Sequence, residues 1–211
     1  MLNISTITGG SIGTNSYLLE ENKKVLLIDF VPQVEKIIED NNLDLESIVL
    51  SHTHFDHLEG LSNFQKKYSF KLYLSNNSYN FIKNPDKIML SIFPPVMLTD
   101  IRNLNLDGVK VCKENEIIRL NDHKIKVIES PGHSTDCLML ILDEMKSVFT
   151  GDTIFKGSVG RTDFPGGNFD EMINSINKLF NIIDDDYILY PGHGPKTTVD
   201  FEKKYNPFLK K

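Results

Sequence analysis

The run His52-Thr53-His54-Phe55-Asp56-His57 constrains this chain more than any other feature. It places three imidazoles and a carboxylate within six residues, directly after the apolar Ile48–Leu50, which reads as a short buried strand. In extended backbone, residues two apart project to the same side, so His52 and His54 share a face. Asp56 and His57 follow as the chain turns toward a helix, and a bend there brings them to the same centre. Gly60 allows close packing where that helix starts. Neutral imidazole nitrogen and carboxylate oxygen are ligands for zinc, iron or manganese. The run therefore predicts a metal site.

Three further stretches share one design. Lys124–Ile128 is an apolar-alternating strand followed by Ser130-Pro131-Gly132-His133. Ser147–Phe149 precedes Thr150-Gly151-Asp152, and Tyr187–Leu189 precedes Tyr190-Pro191-Gly192-His193-Gly194. Each reads as a strand, a tight turn, then one ligand-type side chain. Glycine and proline make such turns because they adopt or preset backbone angles that other residues resist. Ligand sites in open sheets collect at one end of the strands, so the four strand ends imply one shared pocket. His123, in Asn121-Asp122-His123-Lys124, has the composition of a hairpin turn and is expected at a solvent-exposed position.

The rest of the chain reads as a single domain over residues 1–211. That length buries a core without staples. Asn15–Glu20 and Lys24–Ile28 form a predicted hairpin. Val34–Asn41 is an amphipathic helix with Val34, Ile37 and Ile38 on one stripe. Leu58–Lys67 reads as helix, and Phe70–Leu74 and Leu138–Leu142 as strands. Asn168 is placed to cap a helix, with Glu171 three residues on and Met172, Ile173, Ile176, Leu179 and Phe180 as its apolar stripe. From Thr198 onward a terminal helix or tail is expected. Residues 84–108 read as irregular, with Pro85, Pro94 and Pro95 among apolar residues, and serve either as a flap or as an ordinary packed loop. Strands interrupted by helices indicate an α+β or layered α/β/α domain.

The two cysteines, Cys112 and Cys137, do not make a disulfide framework and are expected in the core. The net charge of −6, with lysines scattered, favours a small-molecule substrate over nucleic acid. No apolar run approaches the roughly 20 residues of a membrane span. The start of the chain lacks a secretory pattern, so no membrane partner and a cytoplasmic location are expected.

These motifs resemble those of the metallo-β-lactamase-fold hydrolases, and within them a short, single-domain glyoxalase II-like (hydroxyacylglutathione hydrolase-like) group. The resemblance runs through Asn15-Ser16-Tyr17-Leu18, the strand ending in Asp29, and His52–His57 with Gly60. It continues through Pro131-Gly132-His133, Gly151-Asp152 and the Gly160–Gly167 stretch, then Pro191-Gly192-His193-Gly194-Pro195 and Asn206-Pro207-Phe208-Leu209. It implies a four-layer αββα sandwich of two mixed sheets flanked by helices. It also implies two divalent metal ions, Zn2+ ahead of Fe or Mn. One takes His52, His54 and His133, the other Asp56, His57 and His193, with Asp152 and a hydroxide bridging them. Asp56 is implied to orient that hydroxide.

The implied activity is hydrolysis of a thioester of the hydroxyacylglutathione type. The long glyoxalase II form carries a C-terminal helical domain that is not expected here. True β-lactamases commonly carry Cys where this chain has Asp152, and often lack the histidine present here as His57. Arg161 and Lys156 are candidates to hold a substrate anion, although Arg161 can equally pair with Asp163. Asp29 can fix a metal-bound imidazole or cap the turn before Pro32. The alternative activity is a mononuclear iron persulfide dioxygenase using His52, His133 and Asp152. A nuclease of this fold would need an added nucleic-acid-handling domain, and a non-catalytic module would have lost ligands that this chain keeps. Oligomeric state is not legible.

Overall fold

The structure is a computed structural model that describes residues 1–85 and 98–210. It divides into two compact units, Met1–Cys112 and Lys113–Lys211.

The first unit is a six-stranded sheet in chain order: β1 (Asn3–Gly9), β2 (Thr14–Glu21), β3 (Lys24–Ile28), β4 (Asp44–Val49), β5 (Lys71–Ser75) and β6 (Lys110–Cys112). β1, β2 and β3 pair antiparallel, and β3 through β6 pair parallel, so the sheet is mixed. The β2–β3 hairpin closes with Glu21 opposite Lys24. Its two turn residues, Asn22 and Lys23, both have positive φ (53° and 70°), the geometry that matches strand twist. Parallel neighbours need crossovers. Here α1 (Gln33–Asp40) joins β3 to β4, and α2 (Leu61–Phe64) lies between β4 and β5. α3 (Asn76–Lys83) and α4 (Thr99–Asn103) follow β5. Val34 and Ile38 of α1 join Leu27, Ile48, Leu50, Leu72 and Leu74 in one core.

Three sequence expectations change in this unit. Asn-Ile-Ser-Thr-Ile-Thr-Gly is largely polar and carries no strand pattern, yet it forms β1, an edge strand held by seven residue pairs with β2. The helix expected over Leu58–Lys67 shrinks to Leu61–Phe64. Leu58 instead bridges Phe30, and Gly60 takes φ +86°, which a right-handed helix cannot include. Of the stretch expected to be irregular, 86–97 lie outside the described residues, while Thr99–Asn103 is helical. Asp100 of that helix accepts the N–H groups of Gly60 (2.8 Å) and Ser62 (2.9 Å), donors that the start of α2 leaves without helical partners.

The second unit is a six-stranded sheet in the order β14-β13-β10-β9-β8-β7. Its strands are β7 (Ile117–Leu120), β8 (His123–Glu129), β9 (Leu138–Leu142), β10 (Ser147–Gly151), β13 (Ile188–Pro191) and β14 (Thr197–Thr198). Between them lie the small β11 (Ile154–Phe155) and β12 (Ser158–Val159) ribbon and α5 (Phe169–Phe180); α6 (Val199–Tyr205) ends the unit. β10 and β13 are parallel and the remaining pairs antiparallel. Met172, Ile176 and Leu179 of α5 pack on Ile128, Met139, Ile141, Val148 and Leu189.

Asn168 caps α5 as expected, accepting from the N–H groups of Asp170 (3.0 Å) and Glu171 (3.1 Å). His123 departs from expectation. It opens β8 opposite Leu120, with its ring half-buried and paired to Glu144. The turn itself is Asn121-Asp122, where Asn121 takes the positive φ.

Two mixed sheets with their helices make the chain α+β. No helix among the described residues is long and apolar enough to cross a membrane.

Candidate functional site

In the first unit, β3 and β4 run parallel, so their C-terminal ends lie side by side. Asp29 leaves the end of β3 and Ser51-His52 the end of β4. Asp29 takes φ +59° while its N–H bonds the Val49 carbonyl at 2.9 Å. Its carboxylate is buried. Oδ1 accepts the Ser51 N–H at 2.7 Å, and Oδ2 accepts both the Ser51 hydroxyl and His57 Nδ1 at 2.8 Å.

This arrangement sets two tautomers. A carboxylate oxygen only accepts, so His57 carries its proton on Nδ1 and turns Nε2 outward. The single hydroxyl proton of Ser51 is committed to Asp29, so His52 Nδ1, 3.0 Å from Ser51 Oγ, is the donor there. One carboxylate therefore orients two imidazoles, one directly and one through a hydroxyl. The His52 ring lies 4.7 Å from that of His54 and 4.1 Å from that of His57. Asp56 sits in a 3-10 turn, Phe55–His57. Its Oδ2 accepts the Thr14 hydroxyl at 2.6 Å and lies 3.3 Å from His57 Nε2.

In the second unit, β8, β10 and β13 all point one way, because β9 is antiparallel to both β8 and β10 and β13 is parallel to β10. His133, Asp152 and His193 therefore leave the same end of one sheet, where such sheets place ligands. His133 Nδ1 donates to the Arg161 carbonyl at 2.7 Å, leaving Nε2 3.5 Å from Asp152 Oδ2. His193 Nε2 is 3.7 Å from the same oxygen.

Two glycines are required for this geometry. A Cβ at Gly132 would meet the Met172 backbone at 2.3 Å, and one at Gly160 would meet the Asp152 carbonyl at 1.8 Å. The Pro-Gly-His turn thus rests against the first turn of α5.

Both clusters present the same electrostatic problem. The Nε2 atoms of anchored imidazoles face carboxylate oxygens, an arrangement satisfied by a proton or a metal cation held between them. All seven side chains are donors of the kind that hold a divalent ion. The residues fit that role by chemistry as well as by placement, since each ring whose Nδ1 is bonded keeps Nε2 as ligand atom.

The side chains of the two anion-binding candidates have partners of their own. Arg161 is exposed, and its guanidinium is forked on Asp163 (2.7 and 2.8 Å) and stacked 3.7 Å from the Phe164 ring. The pairing raises the arginine pKa and lowers that of Asp163. Lys156 is exposed above the Phe201 ring, in a cleft of about 300 Å³ that also includes Lys196. Cys137 is buried, and burial pushes its thiol pKa up, away from nucleophilic use. Sequence reasoning missed Ser51, Thr14 and the Arg161 carbonyl. Ser51 alone had a signal, as a hydroxyl next to a ligand histidine.

Comparison with known proteins agrees with these features. The family model described as the metallo-beta-lactamase superfamily matches residues 9–193. A protein of Haemophilus influenzae named hydroxyacylglutathione hydrolase GloC is 31% identical over 99% of this chain and 98% of its own length. The crystal structure of BLEG-1 B3 metallo-beta-lactamase superposes with a TM-score of 0.84 at 25% identity, covering 99% of this chain and 100% of that one. A di-iron-bound form of TTHA1623 superposes with a TM-score of 0.81 at 29% identity, covering 97% and 100%. The chain therefore belongs to the metallo-beta-lactamase superfamily and has the fold of its metal-dependent hydrolases.

Proposed function

We propose that this chain hydrolyses thioesters of the hydroxyacylglutathione type at two divalent metal ions. In this reading His52, His54 and His133 would hold one ion and Asp56, His57 and His193 the other, with Asp152 available to both. The observation that carries it is the anchoring of His57 and His133 through Nδ1, with Nε2 turned toward a carboxylate. Each ring has Nδ1–H held by an acceptor and Nε2 set 3.3 to 3.5 Å from a carboxylate oxygen. The thioester assignment is supported by the name of the Haemophilus influenzae relative, and the pairing of ions by the di-iron title of one structural neighbour.

When bound, two such ions lower the pKa of water to roughly 7 and polarise an acyl carbonyl. The chain's own residues do the rest. Asp29 and the Arg161 carbonyl keep the rings from rotating. Asp56, braced by Thr14, orients the attacking water. The burial of His52, His54, Asp56 and His57 keeps bulk water from these side chains. Lys156, exposed above an aromatic ring, is proposed to meet a substrate anion, and Arg161 to contribute through its backbone as well as its side chain. The substrate is a small molecule, with neither nucleic acid nor membrane as partner.

Elemental analysis of the purified protein, run beside assays on a hydroxyacylglutathione thioester, a β-lactam and glutathione persulfide, tests the reading. Two zinc ions with thioester turnover are expected. One iron with oxygen uptake on the persulfide would replace the hydrolase with a dioxygenase. Turnover of the β-lactam alone would replace the substrate.

A further inference from the structure

We propose that Thr14, which is not a metal donor, is the positioning residue on which the ion at Asp56 and His57 depends, so that it sets whether the protein carries two ions or one. This rests on the two-ion reading above.

Thr14 is the first residue of β2 and is fully buried. Its hydroxyl reaches a carboxylate 42 residues away, at 2.6 Å. The direction of that bond is set by chemistry, because the hydroxyl has one proton and the ionised carboxylate has none. Asp56 lies in a single 3-10 turn, Phe55–His57, and its side chain is buried. The oxygen that Thr14 holds, Oδ2, is the one beside His57 Nε2, 3.3 Å away.

The brace is itself rigid. Thr14 pairs with Gly9 to close the β1–β2 hairpin, and the neighbouring Asn15 Oδ1 accepts the Thr8 hydroxyl at 2.7 Å. The loop beyond is pinned by Gln33, which accepts the Gly10 N–H at 3.0 Å. Glu59 accepts the Ser11 N–H at 2.7 Å and the Ser11 hydroxyl at 2.6 Å. His52 is oriented separately, through Ser51 and Asp29. Removing the Thr14 hydroxyl therefore acts on the Asp56 carboxylate and leaves the His52 brace intact.

The experiment titrates metal-free protein with Zn2+ against a chelator of known affinity, for wild type, Thr14→Val and Thr14→Ser. Valine keeps the shape and removes the hydroxyl, whereas serine keeps the hydroxyl. Wild type and Thr14→Ser are expected to bind two ions. Thr14→Val is expected to keep the first ion and to bind the second about 10- to 100-fold more weakly, the range for loss of a group that orients a ligand. Thermal unfolding of the metal-free forms separates this from general destabilisation, and Thr14→Ala gives the same readout should the valine variant fail to fold. Two ions at wild-type affinities in Thr14→Val would overturn the assignment to Thr14 alone, as would an equal loss of both ions. A wild type that saturates at one ion would overturn the two-ion reading itself.

Discussion

A carboxylate that accepts three hydrogen bonds in a protein interior is held in one orientation, and whatever donates to it is held as well. Asp29 accepts from the Ser51 N–H, the Ser51 hydroxyl and His57 Nδ1. Asparagine has the same size but carries two amide protons. Whichever way its amide is turned, an N–H would face the donor that Oδ1 or Oδ2 now accepts. Asp29→Asn is therefore expected to weaken metal binding by about 10- to 100-fold, measured by zinc competition with a chelator. Wild-type affinity in that variant would remove Asp29 from the design. At this scale the seven candidate donors stand out in the sequence because His, Asp, Gly and Pro form short local motifs. Thr14 does not, because a lone hydroxyl has no motif of its own, and Ser51 has only its place beside His52 to mark it. The Arg161 contact with His133 runs through a main-chain carbonyl, which every residue possesses.

Elements were legible where local rules and packing agree. α5 carries its own cap and an apolar stripe, and the structure buries Met172, Ile176 and Leu179 from that stripe. Asn168→Ala removes the side-chain acceptor for two N–H groups, and the expected loss is about 1 kcal/mol of stability, read from urea unfolding. No change in the urea midpoint would mean that solvent satisfies those groups equally well. Elements were misread where pairing overrides pattern. β1 is polar and exists because β2 supplies partners for its backbone, and the helix after His57 was overextended because the positive φ of Gly60 delays its start. The Ser75 cap of α3 was local, yet that helix was not read because Asn76–Lys83 carries only a weak apolar stripe.

At the scale of the molecule, each unit has its own core and one buried cysteine, Cys112 in the first and Cys137 in the second. A thiol reagent is therefore expected to label neither in native buffer and both in guanidinium. Labelling resolved by peptide reports the opening of each unit separately; fast native labelling of Cys137 would contradict its burial. The donor chemistry was determined by the sequence alone, since the identity of a ligand atom is a property of its residue. So were the strand-then-turn positions of these donors, since hydrophobic periodicity and turn residues act over a few neighbours. Tertiary structure decided which nitrogen of each anchored ring is bonded to a neighbouring acceptor, because that bond depends on the group opposite the ring. For His57 that acceptor is Asp29, brought alongside by parallel pairing of β3 and β4. For His133 it is a carbonyl 28 residues away. Such contacts come from backbone pairing and packing, which no local spacing encodes.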